Sequence, residues 1–188
     1  MAQGHAGRAE QSLYPLGADP LEIVNSFTVP ASIGEAWDLF LDVDRIVVCM
    51  PGAELVEKLP NDAFLGKVSV KLGPIAMSFK GEARFVGVDE AARVVRLHAK
   101  GKELKGRGSA EATVTTRMRE EEGGTSVEVT ADLQLSGSVA QFGRGVIGDV
   151  SSKLVDQFAG CLAATLGGTE AERSLRWQQA RLPCPDSS

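Results

Sequence analysis

The spacing of apolar residues changes once along the chain, and this change constrains the fold more than any other feature. From Leu21 to Leu135 apolar residues recur mostly at every second position, which is typical of half-buried β-strands. From Val139 to Leu166 they recur at intervals of three and four, which indicates one long amphipathic helix. Gly167 and Gly168 then provide a stop signal for that helix. The pattern predicts an antiparallel sheet followed by one C-terminal helix.

Two short helices are predicted between the first strand and the rest of the sheet. Pro30 ends the first strand, and Ser32 with Glu35 has the spacing of a capping box for a helix that follows. Asp42 can cap a second short helical turn, which Pro51 ends.

Six further strands are predicted after Gly52, separated by turns rich in Gly, Pro, Asn and Asp. The run Ala53 to Leu59 is the weakest of them, because its apolar residues do not share one parity. The strand from Ile75 loses its parity at Val86 and Val88, as at a β-bulge. The economical packing is an α+β fold in which a strongly curved seven-stranded antiparallel sheet wraps around the long helix.

Length and charge limit the domain count and the partners. A chain of 188 residues suits one domain, which we place at residues 21–168, between a flexible segment at 1–20 and a flexible tail at 169–188. Twenty Lys and Arg against 25 Asp and Glu give a net charge of −5, which argues against nucleic-acid binding. No apolar run reaches the roughly 20 residues of a membrane-spanning helix, and no signal-peptide block is seen, so we expect a cytoplasmic protein.

Side chains with catalytic chemistry are scarce on the face of the strands predicted to point inward. Asn25 and Thr116 are the polar residues there, and neither is a general base near neutral pH. His98 shares its parity with charged neighbours and is expected to point to solvent. Cys49 and Cys161, with Cys184, form an odd and widely spaced set that favours reduced thiols over a disulfide framework or a zinc site. We therefore predict no catalytic residues, no metal and no cofactor.

Apolar side chains dominate the same inward face and the long helix. From spacing alone, a solid core and a ligand cavity are equally good interpretations. If a cavity is present, its expected lining is Phe40, Met50, Val70, Met77, Phe79, Phe85, Leu97, Phe142, Val146 and Val150.

One predicted hairpin is rich in basic residues. Lys100, Lys102, Lys105 and Arg107 surround it with only Glu103 opposing them. Anionic lipid would attract such a hairpin and give transient contact with a membrane surface. A solvated hairpin without a partner is an equally good interpretation.

Several short stretches are similar to one known family. They are Pro30, Trp37, Leu39 to Asp42, Cys49 to Glu54, Lys71 to Gly73, Phe79 to Gly81, Gly106 to Ala110, Gly124-Thr125, Ser136-Gly137 and Phe142 to Arg144. In these residues the chain resembles the CoxG family of carbon monoxide dehydrogenase, within the START/Bet v 1-like (SRPBCC) superfamily. The resemblance implies a helix-grip fold and a binding protein with an apolar cavity, encoded beside molybdenum hydroxylases and serving assembly, membrane attachment or quinone delivery.

The resemblance and the apolar inward face together indicate a non-enzymatic carrier. Its expected ligand is a lipophilic small molecule, a polyprenyl quinone or a lipid, and its expected partner is a molybdenum hydroxylase such as carbon monoxide dehydrogenase. We expect it at the inner face of the cytoplasmic membrane. Two alternatives stay open: a polyketide cyclase or hydrolase-like enzyme on the same fold, and an assembly or membrane-docking factor for the dehydrogenase.

Overall fold

A computed structural model describes residues 20–167 of the chain. The flexible segment predicted at 1–20, apart from Pro20, and the tail predicted at 169–188 lie outside the described residues. The elements follow one another as β1 (Leu21–Val29), α1 (Ile33–Leu41), α2 (Val43–Cys49), β2 (Ala53–Leu59), β3 (Ala63–Leu72), β4 (Ile75–Asp89), β5 (Val94–Glu103), β6 (Gly108–Glu121), β7 (Gly124–Gly137), a 3₁₀ helix (Ser138–Phe142) and α3 (Gly143–Leu166).

The strands form one antiparallel sheet in the order β1-β7-β6-β5-β4-β3-β2. Consecutive strands from β2 to β7 are neighbours, and β1 pairs with β7 at the far edge, with Leu21 opposite Leu133 and Val29 opposite Thr125. The first nine residues of the sheet therefore pair with its last strand. The predicted α+β architecture, with seven strands and a long C-terminal helix, is confirmed.

Two register shifts explain where the period-two pattern fails. In β2 the pairing with β3 shifts between Leu55 and Glu57, so the two halves of the strand present opposite parities to the interior. In β4 the pairing with β5 shifts between Phe85 and Gly87, which leaves Val86 half exposed. The bulge predicted in β4 is confirmed.

Local hydrogen bonds fix both short helices. The Ser32 hydroxyl accepts from the Glu35 backbone N–H at 3.3 Å, and the Glu35 carboxylate accepts from the Ser32 N–H at 3.1 Å, which completes the predicted capping box. The Asp42 carboxylate caps α2 by accepting from the Arg45 N–H at 3.3 Å.

The start of the long helix differs from the prediction. A 3₁₀ helix occupies Ser138–Phe142, and α3 begins only at Gly143, which has a left-handed φ of +69°. Because a 3₁₀ turn holds 3.0 residues and an α turn 3.6, the side-chain phase changes across this junction. Ile147 is buried as a result, whereas Val146, a member of the predicted apolar stripe, is 38% exposed.

Candidate ligand-binding site

Two hydrophobic clusters lie at opposite ends of the space between the concave face of the sheet and α3. The first, the α1–α2 cluster, joins the short helices to the C-terminal half of α3 through Trp37, Leu39, Val127, Phe158 and Leu162. The second, the hairpin-end cluster, joins the β3–β4 hairpin to the 3₁₀ helix through Leu72, Met77, Phe79 and Val139. The clusters share no residue, so the middle of the concave face belongs to neither of them.

The predicted lining residues divide between these clusters and the surface. Phe40 and Phe85 pack against the α1–α2 cluster. The hairpin-end cluster contains or contacts Val70, Met77, Phe79, Phe142 and Val150. Leu97 is half-buried, opposite Phe85 in the ladder. Met50 and Val146 are 37% and 38% exposed, at the end of α2 and in the first turn of α3.

Small residues occupy the middle of the concave face. The strand registers place two neighbouring rows there, Leu133–Ala112–Ala99–Ala83 and Leu135–Ala110–Gly101–Gly81–Gly66. All of these positions are half-buried, although they face the interior side of the sheet. Alanine and glycine fill little volume above a sheet, so the centre of the interior is less filled than its two ends.

An open pocket of about 410 Å³ leads to one border of this central region. It lies between α1, the start of α2 and strands β2 to β4, and its floor includes Phe64 and Phe85. These two rings meet edge to face with centroids 5.6 Å apart. Their ladder partners are Ala83 and Leu97 on the concave face, so the pocket is a candidate entrance to the interior.

A buried carboxylate, which the sequence analysis assigned to the basic hairpin, closes the other end. Glu103 is 4% exposed and lies opposite Phe79, because it continues the inward parity of Val95, Leu97 and Ala99. That parity was the signal that would have revealed it. The Glu103 carboxylate accepts hydrogen bonds from the Arg107 guanidinium at 2.8 Å and from the backbone N–H of Lys105 at 2.7 Å. The Arg107 hydrogen bond is the largest influence on the Glu103 carboxyl and lowers its pKa to about 2.

The four basic residues predicted to contact a membrane or partner do not act alike. Arg107 is bound to Glu103 and donates to the Ala76 carbonyl at 2.9 Å, so its charge serves the fold. Lys100 lies between Glu82 and Glu111 in the ladder. Lys102 lies opposite Lys80, and Lys105 is exposed beside Leu104, which is 54% exposed. The basic surface therefore centres on Lys80, Lys102 and Lys105, which we call the hairpin-tip patch.

The prediction of reduced thiols is wrong for two of the three cysteines. Cys49 and Cys161 form a disulfide bond between α2 and α3. Their positions are separated by 112 residues, so no spacing rule relates them; the fold brings the end of α2 against the α3 stripe. Cys184 lies outside the described residues.

Groups with acid–base chemistry lie away from the concave centre. His98 is on the outer face, as predicted, where its Nε2 lies 2.7 Å from the Glu111 carboxylate. Within residues 20–167 no cluster of three His, Cys, Asp or Glu side chains has metal-binding geometry. The site therefore offers shape and apolar surface to a ligand.

A family model decides where this architecture belongs. The model for the CoxG protein of carbon monoxide dehydrogenase matches residues 26–167. The chain belongs to the CoxG family. The matched region runs from β1 through α3 and so contains both clusters and the concave centre. No curated protein matches this CoxG-family chain at a significant level.

Solved structures with the same architecture share little sequence with this chain. A conserved protein from Geobacillus kaustophilus has a TM-score of 0.70 at 16% identity, covering 78% of this chain and 95% of that one. The Zhui aromatase/cyclase from Streptomyces sp. R1128 has a TM-score of 0.51 at 18% identity, covering 84% and 97%. Ara h 8.0201 has a TM-score of 0.54 at 16% identity, covering 80% and 100%. These likenesses establish the START/Bet v 1-like helix-grip fold.

The helices of this CoxG-family fold do not meet the requirements of a bilayer span. None of those within residues 20–167 combines the length and apolarity needed to cross a membrane.

Proposed function

We propose that this CoxG-family protein is a non-enzymatic carrier that holds a lipophilic molecule between the concave face and α3. The observation that carries the proposal is the half-buried floor of alanine and glycine between two closed hydrophobic clusters. A floor of this kind favours an apolar body, because it offers no charge to repay the desolvation of an ionic ligand.

The ligand we propose is a polyprenyl quinone or a similar lipid, and the partner is a molybdenum hydroxylase such as carbon monoxide dehydrogenase. The family match supports the link to the dehydrogenase. Each buried CH₂ contributes about 0.8 kcal/mol, so a prenyl chain leaves a membrane readily only when a protein encloses it. A carrier would meet that requirement.

Binding is favoured over catalysis by the acidic and basic groups of the site. Glu103 is the inward carboxyl of the hairpin end, and a pKa of about 2 makes it a poor proton acceptor near neutral pH. His98 and Glu111 face away from the concave centre. A cyclase or hydrolase on this fold would need a general acid or base at the ligand, and these groups do not provide one.

We also propose that the hairpin-tip patch meets the inner face of the cytoplasmic membrane. Lys80, Lys102 and Lys105 surround the exposed side chain of Leu104. A basic residue near an anionic leaflet contributes about 1 kcal/mol, and an exposed leucine can enter the interfacial region. Contact of this size would be transient, as ligand loading requires.

The test is organic extraction of the purified full-length protein followed by mass spectrometry. We expect a lipophilic compound at close to one molecule per chain, and we expect the stripped protein to take up a short-chain quinone from detergent. Heat-denatured protein from the same preparation is the control for non-specific carry-over. A natively purified protein that contains no lipophilic compound and takes none up contradicts the proposal.

A further inference from the structure

One buried polar side chain of residues 20–167 lacks a hydrogen-bond partner. Four polar residues are buried in this part of the chain, namely Glu103, Thr116, Thr125 and Thr165. The Glu103 carboxylate binds Arg107, the Thr125 hydroxyl donates to the Ala31 carbonyl at 2.8 Å, and the Thr165 hydroxyl lies 4.0 Å from the Cys49 sulfur. The Thr116 hydroxyl bonds to no other described residue, although Thr116 is only 7% exposed. Buried polar groups are nearly always paired, so this exception requires an explanation.

A second unpaired polar side chain lies in the same row of the sheet. Asn25 of β1 pairs with Val129 of β7, and Val129 pairs with Thr116 of β6. Asn25 is half-buried on the inward side of β1, and its amide makes no hydrogen bond to another described residue. Its inward neighbours along the strand are Ile23 and Phe27. The two polar groups therefore interrupt an otherwise apolar face at one level.

The spacing of the strands lets one ligand group reach both side chains. Asn25 and Thr116 are two strands apart, about 10 Å between strand axes, and inward side chains converge on the concave side of a curved sheet. A ligand oxygen above Val129 could accept from both, since a hydrogen bond spans about 3 Å between heavy atoms. The amide offers two N–H donors, and the hydroxyl offers one O–H donor as well as an acceptor.

We propose that Asn25 and Thr116 form a polar subsite for a neutral oxygen function, a carbonyl or a hydroxyl, on an otherwise apolar ligand. This inference rests on the proposed function and specifies the chemistry of the ligand end that lies above the α1–α2 cluster. That level borders the cluster, because Val129 and Val95 of the same row pack in it. A charged group is disfavoured, because both side chains are neutral and Glu103 lies at the other end, bound to Arg107.

Two ligands of nearly the same shape test the subsite. 9-Fluorenone has a carbonyl where fluorene has a CH₂ group, so their affinities differ mainly through hydrogen bonding. Titration of the full-length protein should show tighter binding of 9-fluorenone. Thr116→Val and Asn25→Leu should each weaken 9-fluorenone binding by about tenfold, the size expected for one hydrogen bond, and leave fluorene binding within about twofold.

Matched controls separate the subsite from general disruption. Thr115→Val changes the adjacent residue of β6, which has the opposite parity, and should alter neither affinity. Thr116→Ser keeps the hydroxyl and should keep the preference for the ketone. Equal loss of both ligands in Thr116→Val, or no ketone preference in the wild-type protein, would overturn the subsite. A wild-type protein that binds fluorene well but without ketone preference leaves the carrier proposal standing; one that binds neither compound overturns both.

Discussion

Cys49 at the end of α2 is joined by a disulfide bond to Cys161 of α3, and their Cα atoms lie 5.3 Å apart. The other end of α2 is held by an ion pair between Asp44 and Lys58 of β2. The helix is thus attached to the sheet edge at one end and to α3 at the other. Because α2 begins at the wall of the open pocket, these two attachments also set the width of the candidate entrance.

The disulfide should make a large contribution to stability. It closes a loop across 112 positions, for which chain-entropy arguments give about 4 to 5 kcal/mol of unfolding free energy. We expect Cys49→Ala/Cys161→Ala to lower the free energy of unfolding by several kcal/mol in urea titrations. A reductant should lower that of the wild-type protein similarly and leave the double variant unchanged. Equal stability of all forms would show that the bond is not present in solution.

Acid should weaken the hairpin end of the molecule. The Arg107 hydrogen bond lowers the pKa of Glu103 from 4.5 to about 2, so the folded state holds the charged form more strongly than the unfolded state does. The resulting stabilisation is complete above about pH 4.5 and is lost as the pH falls toward 2. Urea titrations should show a smaller loss of stability over this range in Glu103→Gln than in the wild type. Parallel pH profiles for the two proteins would contradict this assignment.

Filling the central floor should exclude the ligand without unfolding the protein. Ala112 faces the concave centre between Ala99 and Leu133. In Ala112→Trp the indole should enter unfilled space, so we expect little loss of stability and no extractable ligand. Thr113→Trp places the same ring on the outer face and should retain the ligand. A loss of about 1 to 3 kcal/mol with the ligand retained would indicate a packed core instead.

The close approach of β4 and β5 should tolerate no side chain at one position. A Cβ at Gly81 would lie 1.9 Å from the Lys100 carbonyl oxygen and 2.5 Å from the Gly101 Cα. Gly81→Ala should therefore cost about 1 to 3 kcal/mol in thermal or urea unfolding. Gly160→Ala meets nothing within 4 Å on α3 and should stabilise by about 0.4 to 1 kcal/mol. Equal effects of the two substitutions would show that the strands can separate at little cost.

Membrane contact through the hairpin-tip patch should be weak and sensitive to salt. Reversal of two charges in Lys102→Glu/Lys105→Glu should abolish binding to vesicles of mixed anionic and neutral phospholipid in sedimentation assays. Binding of the wild type should fade between low and physiological ionic strength, because the patch is exposed and screened. Lys153→Glu, an exposed charge reversal on α3, is the matched control. Tight binding that resists salt and survives the double reversal would place the contact elsewhere.

The sequence was sufficient for the elements and insufficient for the contacts between them. Parity located the strands, and the broken parity at Leu55 and Val86 marked real register shifts. The capping pattern of Ser32 and Glu35 located α1, because caps depend on neighbours three residues apart. Such features are local, and local features can be read from spacing.

The site depended on long-range geometry. The Cys49–Cys161 bond arises from the packing of α2 on α3, which no sequence interval specifies. The depth of Glu103 followed from strand parity but was hidden by its basic neighbours. Val146 was misplaced because five residues of 3₁₀ helix rotate the start of α3. The alanine and glycine floor became visible only when register aligned four separate strands.

The pairing of β1 with β7 has a consequence for biosynthesis. The Thr125 hydroxyl that seals the end of β1 donates to Ala31, 94 residues earlier in the chain. At roughly 5 to 20 residues per second, a ribosome needs about 5 to 20 seconds to deliver that partner after β1 has emerged. Through this interval the apolar side of β1 has neither its neighbouring strand nor α3 to cover it. The nascent chain is therefore a client for holding chaperones until its last third has been made, and early termination products should aggregate.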